Sequence, residues 1–439
     1  MNYLHLEFLV GIMVLASLLL VMPAGLYSGL LGVLAIIAVV NFGGSDCDYS
    51  SWELVLKVMI LALSLPIMVL MKRKEFSEVG VLVMSVVLSS LFLVSSDNLL
   101  AVYIALELQS LSLFIFISRK KNSPSKVEAG LKYFVLSSIS SGILLLGAAL
   151  HFCFTGSCDI ASLSDGYLSF EKVMVIAALL FKLAVAPFHI WSPDVYQGAD
   201  NQSLVLLGTL PKISVIAVLV SISPSSKLLL TAAVLSLIIG CVGALNQINV
   251  RKLLAYSGIM NMGFVLLGLG ANSHYGLEAS IFYVFVYMLS FVFLVSISDM
   301  AVSKDASLPE FSGIISGNAV LLVSVVLIAF SFAGIPPFAG FLIKWFVLSS
   351  TMAAKLIFGS ILSVTCAIIA GVYYLRIVKI GYFQVDKAFY AWKSLTLKRG
   401  EVSFGASIVL GSIFFFTAFL IFCPQVFMQA MHFAALAVF

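Results

Sequence analysis

The chain has 439 residues, of which 62% are hydrophobic and only 10% charged, with a mean hydropathy of +1.15 and a formal net charge of +4. Soluble domains carry about 25% charged residues, so a water-soluble globular enzyme is excluded, and a charge balance this small points to no nucleic-acid partner. Apolar stretches long enough to cross a hydrocarbon core of about 30 Å as helices recur throughout. They are continuous rather than alternating, which excludes a β-barrel.

Fourteen spans are predicted, at approximately 4–22, 25–41, 52–71, 78–96, 98–118, 129–153, 171–190, 202–222, 227–246, 253–271, 277–299, 313–352, 357–383 and 403–423. The first has no basic segment before it and no small-residue cleavage site after it, so it reads as a retained helix rather than a signal peptide. The seventh carries Pro187 near its end, followed by the polar Ser192-Pro193-Asp194. The twelfth is too long for one straight helix and contains Gly334-Ile335-Pro336-Pro337, which interrupts the hydrogen-bond ladder. Broken helices at membrane depth persist only where protein or a wet cavity satisfies the freed backbone. Six scattered cysteines (Cys47, Cys153, Cys158, Cys241, Cys366, Cys423) show no metal-ligand spacing.

Basic residues set the orientation. Lys72-Arg73-Lys74, Arg119-Lys120-Lys121 with Lys126, Arg251-Lys252, Lys304, and the group Lys379, Lys387, Lys393, Lys398 and Arg399 all follow odd-numbered spans. Lys57, Lys172, Lys227 and Lys355 fall on the other side or its helix ends, and Arg376 lies within the thirteenth span, toward its basic end. Both termini are therefore expected on the periplasmic side of a bacterial inner membrane, or on the equivalent side of the mitochondrial inner membrane.

Lys132, Lys182, Lys212 and Lys344 remain inside apolar spans, with one acid, Glu107, near the middle of the fifth. A charge at the bilayer centre costs about 2.5–3.5 kcal/mol on insertion scales, so these groups must face the bundle interior. Snorkelling to the interface competes for Lys132, which is only a few residues into its helix. It does not suit Lys182 or Lys212, each flanked by about ten residues on both sides. Structural pairing is the other bland reading, but four lysines outnumber one central acid. Burial and neighbouring positive charge both disfavour a lysine's charged form, so a row of such lysines suits proton uptake and release. Glu128 and Lys132 are spaced i, i+4 on one helical face. Lys182 and His189 are i, i+7, also on one face, and His189 is suited to passing protons on.

A weak repeat organises the chain. Spans four to eight and nine to thirteen each place a broken helix fourth, and each broken helix carries a lysine, Lys182 or Lys344. Five is odd, so the second set is inverted relative to the first, the usual plan of ion-coupled transporters. The predicted fold is an all-α polytopic membrane protein. Its parts are an N-terminal three-helix segment (1–77), a first five-helix repeat (78–222), a second, inverted one (223–385), and a cytoplasmic loop with a last helix (386–439).

The stretch Phe181-Lys182-Leu183-Ala184-Val185-Ala186-Pro187-Phe188-His189-Ile190-Trp191-Ser192-Pro193-Asp194-Val195-Tyr196-Gln197-Gly198-Ala199 closely resembles the signature of the antiporter-like subunits of respiratory complex I. Asn249 to Ser257 and Ala333 to Lys344 fit the same family, and the resemblance covers about residues 80–385. It is strongest to the N-type subunit. The resemblance implies a membrane-arm subunit that moves protons while other subunits handle NADH, FMN, iron–sulfur clusters and quinone, with no cofactor on this chain. Expected partners are the lipid bilayer and the M-like and K-like membrane-arm neighbours. Glu107 and Lys182 would form the family's ion pair, Lys212 the central relay lysine, and Lys344 the terminal lysine on the second broken helix. The family often has a histidine near Ser257–Gly263 where this chain has Asn261, so a proton step there needs water or another group. The alternative is an Mrp-type cation/proton antiporter subunit, which shares the fold and much of the first motif.

Overall fold

The computed structural model describes residues 50–70, 76–120, 122–164, 169–301, 308, 319–383 and 404–438. The expected spans 4–22 and 25–41, Cys47, and the basic residues Lys72, Arg73, Lys74, Lys121, Lys304, Lys387, Lys393, Lys398 and Arg399 lie outside the described residues. Among those described, the regular structure is helical, apart from one β-bridge between Asn98 and Asp159. Eight helical segments among them are long and apolar enough to cross a membrane, accompanied by five shorter apolar helices.

The chain forms two compact units, the first ending at Leu229 and taking in Gln429–Phe439, the second Leu230–Met428. In the first unit the helices are α1 (Ser50–Leu70), α2 (Phe76–Val94), α3 (Leu99–Ser118), α4 (Pro124–Thr155), α5 (Ile160–Ser164), α6 (Phe170–Lys182), α7 (Trp191–Gly198), α8 (Asn201–Gly208) and α9 (Leu210–Ser221). Pro124 opens α4, where its missing N–H costs nothing, and Gly156 closes it at φ 76°. At 32 residues α4 is about 48 Å long, well beyond the hydrocarbon thickness. The span Asn201–Ser221 is buried along its whole apolar window. Its second half, α9, packs on α1, α2 and α6. Asn98 caps α3 by accepting the Leu100 N–H at 2.9 Å.

The predicted eighth span is not one continuous helix. It is interrupted at Thr209, which has φ −118° and ψ −81°. Pro211 explains the interruption: it has no N–H to offer the carbonyl four residues back, and its ring crowds that carbonyl.

The second unit takes in most of α10 (Ser226–Leu245), then α11 (Val250–Gly270), α12 (His274–Ala301), α13 (Ala319–Ala333), α14 (Ala339–Ala353), α15 (Ile357–Tyr382) and α16 (Phe404–Phe419). A last helix, α17, covers Gln425–Val438. Asn249 caps α11 as Asn98 caps α3, accepting the Arg251 N–H at 3.0 Å. Helix α12 is buried over its whole apolar window and packs on α11, α14 and α16.

Both broken helices end in the same local structure. Where α6 ends, Ala184 N–H donates to the Phe181 carbonyl and Val185 N–H to the Leu180 carbonyl. Where α13 ends, Gly334 N–H donates to the Ser331 carbonyl and Ile335 N–H to the Phe330 carbonyl. These are paired 5→2 and 6→1 bonds of a Schellman motif, which needs a left-handed residue at its turn. Gly334 takes that role at φ 84°, and Ala184 at φ 57°. Alignment of the two motifs shows that Lys182 and Lys344 do not occupy equivalent positions. Lys182 is the last residue of the first half-helix α6, whereas Lys344 sits in the second half-helix α14.

An L-residue in left-handed conformation costs roughly 1–2 kcal/mol. Ala184→Gly is therefore expected to raise stability by about 1 kcal/mol, measured as a higher thermal midpoint in detergent. A lower midpoint would show that the Ala184 methyl group contributes packing that outweighs the strain.

Candidate functional site

In the first unit, α3 supplies Glu107, the end of α6 supplies Lys182, and the start of α9 supplies Lys212. Glu107 Oε1 and Lys182 Nζ are both buried without a hydrogen-bond partner. The expected Glu107–Lys182 ion pair is thus not a direct contact: the two interact through space, and Glu107 acts likewise on the Tyr133 hydroxyl. Between the elements lies a cavity of roughly one water's size, lined by Gln109, Ser110, Tyr133, Ser137, Lys182 and Pro211 among others. Leu106, Phe181, Trp191 and Leu207 complete the lining, so polar and apolar groups share it, and Pro211 precedes Lys212. Gln109 Nε2 donates to Ser214 Oγ at 3.4 Å, tying α3 to α9 beside the cavity.

The two lysines sit in opposite backbone fields. Lys182 is at the C-terminal end of α6, where the helix dipole stabilises positive charge, and Lys212 is in the first turn of α9, where it does the reverse. Lys212 is 4% exposed and has no hydrogen-bond or ion-pair partner among the described residues. A bundle glued by ion pairs would not be arranged this way.

Trp191 closes the first break. Its Nε1 donates to the Phe181 carbonyl at 3.0 Å and its ring stacks on Phe181 and meets Tyr133. His189 lies in the turn between the half-helices, half-buried, with Nδ1 unpartnered. Because the helix stops at Lys182, the expected shared face for Lys182 and His189 does not exist.

Lys132 is not a core group. Its side chain is 44% exposed and pairs with Glu128 at 2.8 Å and with Asp194 at 3.5 Å. The Glu128 pairing follows the i, i+4 spacing, whereas Asp194 comes from α7 and was signalled only by the polar run after Pro187. Two other lysines expected at helix ends are nearly inaccessible, Lys57 at 3% and Lys172 at 4%. Lys57 lies 3.4 Å from Glu53 in the same helix.

Just outside the interrupted span, Asp200 accepts from Lys120 at 3.0 Å and from Lys126. Burial on its own raises the Asp200 carboxyl, but the two lysines outweigh it and hold the group below its usual 3.8. A carboxyl lowered on folding contributes stability above its unfolded value, and that contribution is lost as pH falls through the folded one. Asp200→Asn should therefore lower the thermal midpoint at pH 7 by an amount matching about 0–1 kcal/mol. The gap between variant and parent should close as pH falls through the lowered carboxyl of folded Asp200. A gap unchanged in acid would contradict the clasp.

In the second unit Lys344 is 6% exposed, and its partners are backbone. Nζ donates to the Phe332 carbonyl at 2.7 Å and the Ala333 carbonyl at 3.1 Å, the free carbonyls at the end of α13. It also lies 5.9 Å from the Phe264 ring centroid. Gly334 makes the room: a Cβ there would come within 2.9 Å of Lys344 Cδ and 3.1 Å of Nζ. Across the same break Ser331 Oγ accepts the Gly340 N–H at 3.0 Å. Asn261, flagged for replacing a histidine, is buried; its Oδ1 accepts from Tyr283 at 2.7 Å and its Nδ2 donates to the Ser257 carbonyl at 2.8 Å.

The profile of the family described as NADH:quinone oxidoreductase/Mrp antiporter, TM, matches residues 96–370, well over half the chain. The chain belongs to this family. Among its curated relatives, NADH-ubiquinone oxidoreductase chain 2 of Metridium senile is 39% identical over 373 residues, covering 82% of this chain and 97% of the relative. NADH-quinone oxidoreductase subunit N of Beijerinckia indica subsp. indica is 31% identical over 415 residues, 87% of each. A chain of respiratory complex I from Thermus thermophilus shares the fold at TM-score 0.86 and 24% identity, covering 97% of this chain and 99% of that one. A chain of the Mrp complex from Dietzia sp. DQ12-45-1b gives TM-score 0.85 at 19% identity, covering 99% and 97%. The fold alone therefore does not separate the two branches of the family. Both of these curated relatives, each above 30% identity, fall on the oxidoreductase side, and the chain is an antiporter-like membrane subunit of that kind.

Proposed function

We propose that this family member is the N-type membrane-arm subunit of a proton-translocating NADH:quinone oxidoreductase, moving protons while its partners carry out the redox chemistry. The observation that carries this reading is the unpartnered Lys182 amine, electrostatically coupled to Glu107 beside a water-sized cavity into which Gln109, Ser110 and Ser137 also open. Quinone reduction elsewhere shifts Glu107 relative to Lys182. With the carboxylate withdrawn, the Lys182 proton leaves toward Lys212; with it returned, Lys182 reloads. His189 in the turn and the Glu128–Lys132 pair at the rim lie on the supply side, and Lys344 is the terminal lysine toward which the proton leaves after Lys212. Moving one charge against 100 mV requires about 2.3 kcal/mol, within reach of a few kcal/mol of pair coupling at an effective dielectric of about 20.

The same reading assigns NADH, FMN, iron–sulfur clusters and quinone to other subunits, and M-like and K-like neighbours to the membrane arm. It places fourteen spans in a bacterial inner membrane, or a mitochondrial one, with both termini on the periplasmic side. Paired Schellman breaks and paired asparagine caps support an internal repeat, and the odd number of spans per repeat is what argues for opposite orientation. Alanine at Glu107, Lys182 or Lys212 in the assembled complex tests the relay. Each should sharply reduce NADH-driven proton uptake into membrane vesicles, and parental pumping in all three would end the proposal.

A further inference from the structure

Asn261 cannot titrate, yet it is buried beside Lys344's aromatic neighbour, on the helix where the resemblance leads one to expect a proton-carrying histidine. The groups around it supply hydroxyls instead. Tyr283 is buried on α12 and donates to Asn261 Oδ1, and its ring stacks on Phe264 at 5.7 Å and 11°. Phe264 is the ring facing the Lys344 amine. From α15, Tyr374 brings a second phenol, 1% exposed, within electrostatic reach of Asn261, Ser257 and the neighbouring Tyr373 hydroxyl. It makes no hydrogen bond of good geometry to any of them, so its hydroxyl is held loosely among polar groups rather than committed to one. The adjacent Tyr373, with ring centroids 4.6 Å away, instead directs its hydroxyl to the Met260 sulfur at 3.6 Å.

We infer that Tyr283 and Tyr374 are proton-carrying groups of the second unit, and that Asn261 is a positioning residue that aims the Tyr283 hydroxyl. The step rests on the relay reading above. A phenol oxygen accepts an incoming proton while its own O–H proton passes to the next acceptor, a water or hydroxyl. One O–H bond forms and one breaks, and no charge stays behind. The Asn261 amide is not protonated. Its Nδ2 is committed to the Ser257 carbonyl, so its Oδ1 holds the resting Tyr283 proton and leaves the phenol lone pairs free to receive; when a proton arrives on the phenol, the original O–H turns from Oδ1 to the next water or hydroxyl and gives its proton up, and the newly bound proton takes its place on Oδ1. A neutral chain suits this place, because it adds no further charge beside the buried Lys344.

The test uses the assembled complex in native membrane vesicles, reading protons taken up per NADH oxidised, with assembly checked on native gels. Tyr283→Phe and Tyr374→Phe should each slow the proton uptake carried by this subunit about tenfold, while Tyr373→Phe leaves it unchanged. Asn261→Leu should slow uptake similarly, and Asn261→His, which restores a group able to hold and orient the proton, should recover it. A merely structural Asn261 would not be rescued by the bulkier histidine. Parental pumping in both tyrosine variants, or equal loss in Tyr373→Phe, overturns the inference. If Lys182→Ala also pumps normally, the relay reading has failed; if only the lysine variant loses pumping, the tyrosine chain alone has failed.

Discussion

Lys182→Met should stop NADH-driven proton uptake through this subunit, and Lys182→Met combined with Glu107→Gln should leave the folded chain at least as stable as the parent. The functional half follows from the amine's position between the Glu107 field and the cavity. The stability half follows from the absence of any hydrogen bond to Lys182 Nζ. Removing Lys182 alone would leave the Glu107 carboxylate buried without its countercharge, whereas exchanging both buried ionic groups for neutral ones is often neutral or stabilising by about 1–4 kcal/mol. Lys344→Met offers the contrast. Its amine satisfies the Phe332 and Ala333 carbonyls, and leaving them unpaired costs about 1–3 kcal/mol. Thermal midpoints in detergent should therefore move apart, with Lys344→Met below parent and the Lys182→Met/Glu107→Gln chain at or above it. A doubly substituted chain that unfolds as readily as Lys344→Met would show that the two charges are structural.

Gly340→Ala should prevent the chain from accumulating in a folded form. A Cβ at Gly340 would overlap the Ser331 carbonyl, a backbone group at the end of the facing half-helix that has no rotamer to retreat into. Overpacking ordinarily costs about 1–3 kcal/mol. Here the two half-helices would have to separate, breaking the Gly340–Ser331 bond and the Lys344 cap together, so a loss above about 4 kcal/mol is expected. Gly371→Ala is the control. It lies in α15 with open space around its Cβ position, and should be neutral or gain up to about 1 kcal/mol of helix propensity. Equal expression of both variants would contradict the tight approach.

What sequence could reveal depended on whether a signal was local. Pro187 and Gly334-Ile335-Pro336-Pro337 announced the two breaks, because a missing N–H and a permissive φ are properties of those residues themselves. The Thr209 interruption had its own local signal in Pro211, which the long apolar run masked. Glu107, Lys182, Lys212 and Lys344 stood out because charge inside an apolar run is costly wherever it points. Their partners were not legible. Lys344 caps carbonyls that exist only because α13 stops at Ala333, and Lys132 meets Asp194 only because α7 packs on α4. Lys57 and Lys172 looked like helix-end charges because burial depends on neighbouring helices that periodicity does not locate.

The matching Schellman breaks give the two units a common ruler. Adding the interval from Ala184 to Gly334 to any nearby residue number converts a position in one break into its counterpart in the other. Val185 maps to Ile335, Pro187 to Pro337 and Phe188 to Phe338. On that ruler Lys182 maps to Phe332, whose carbonyl accepts from Lys344, and Lys344 maps back to Asp194, which accepts from Lys132. Lys344 and Asp194 thus carry opposite charge at sister positions of the same backbone frame, while the counterpart of Lys182 is an uncharged ring. Transplanting one break into the other unit would preserve the turn and change the charges it carries, so the breaks are interchangeable as turns but not as charge sites.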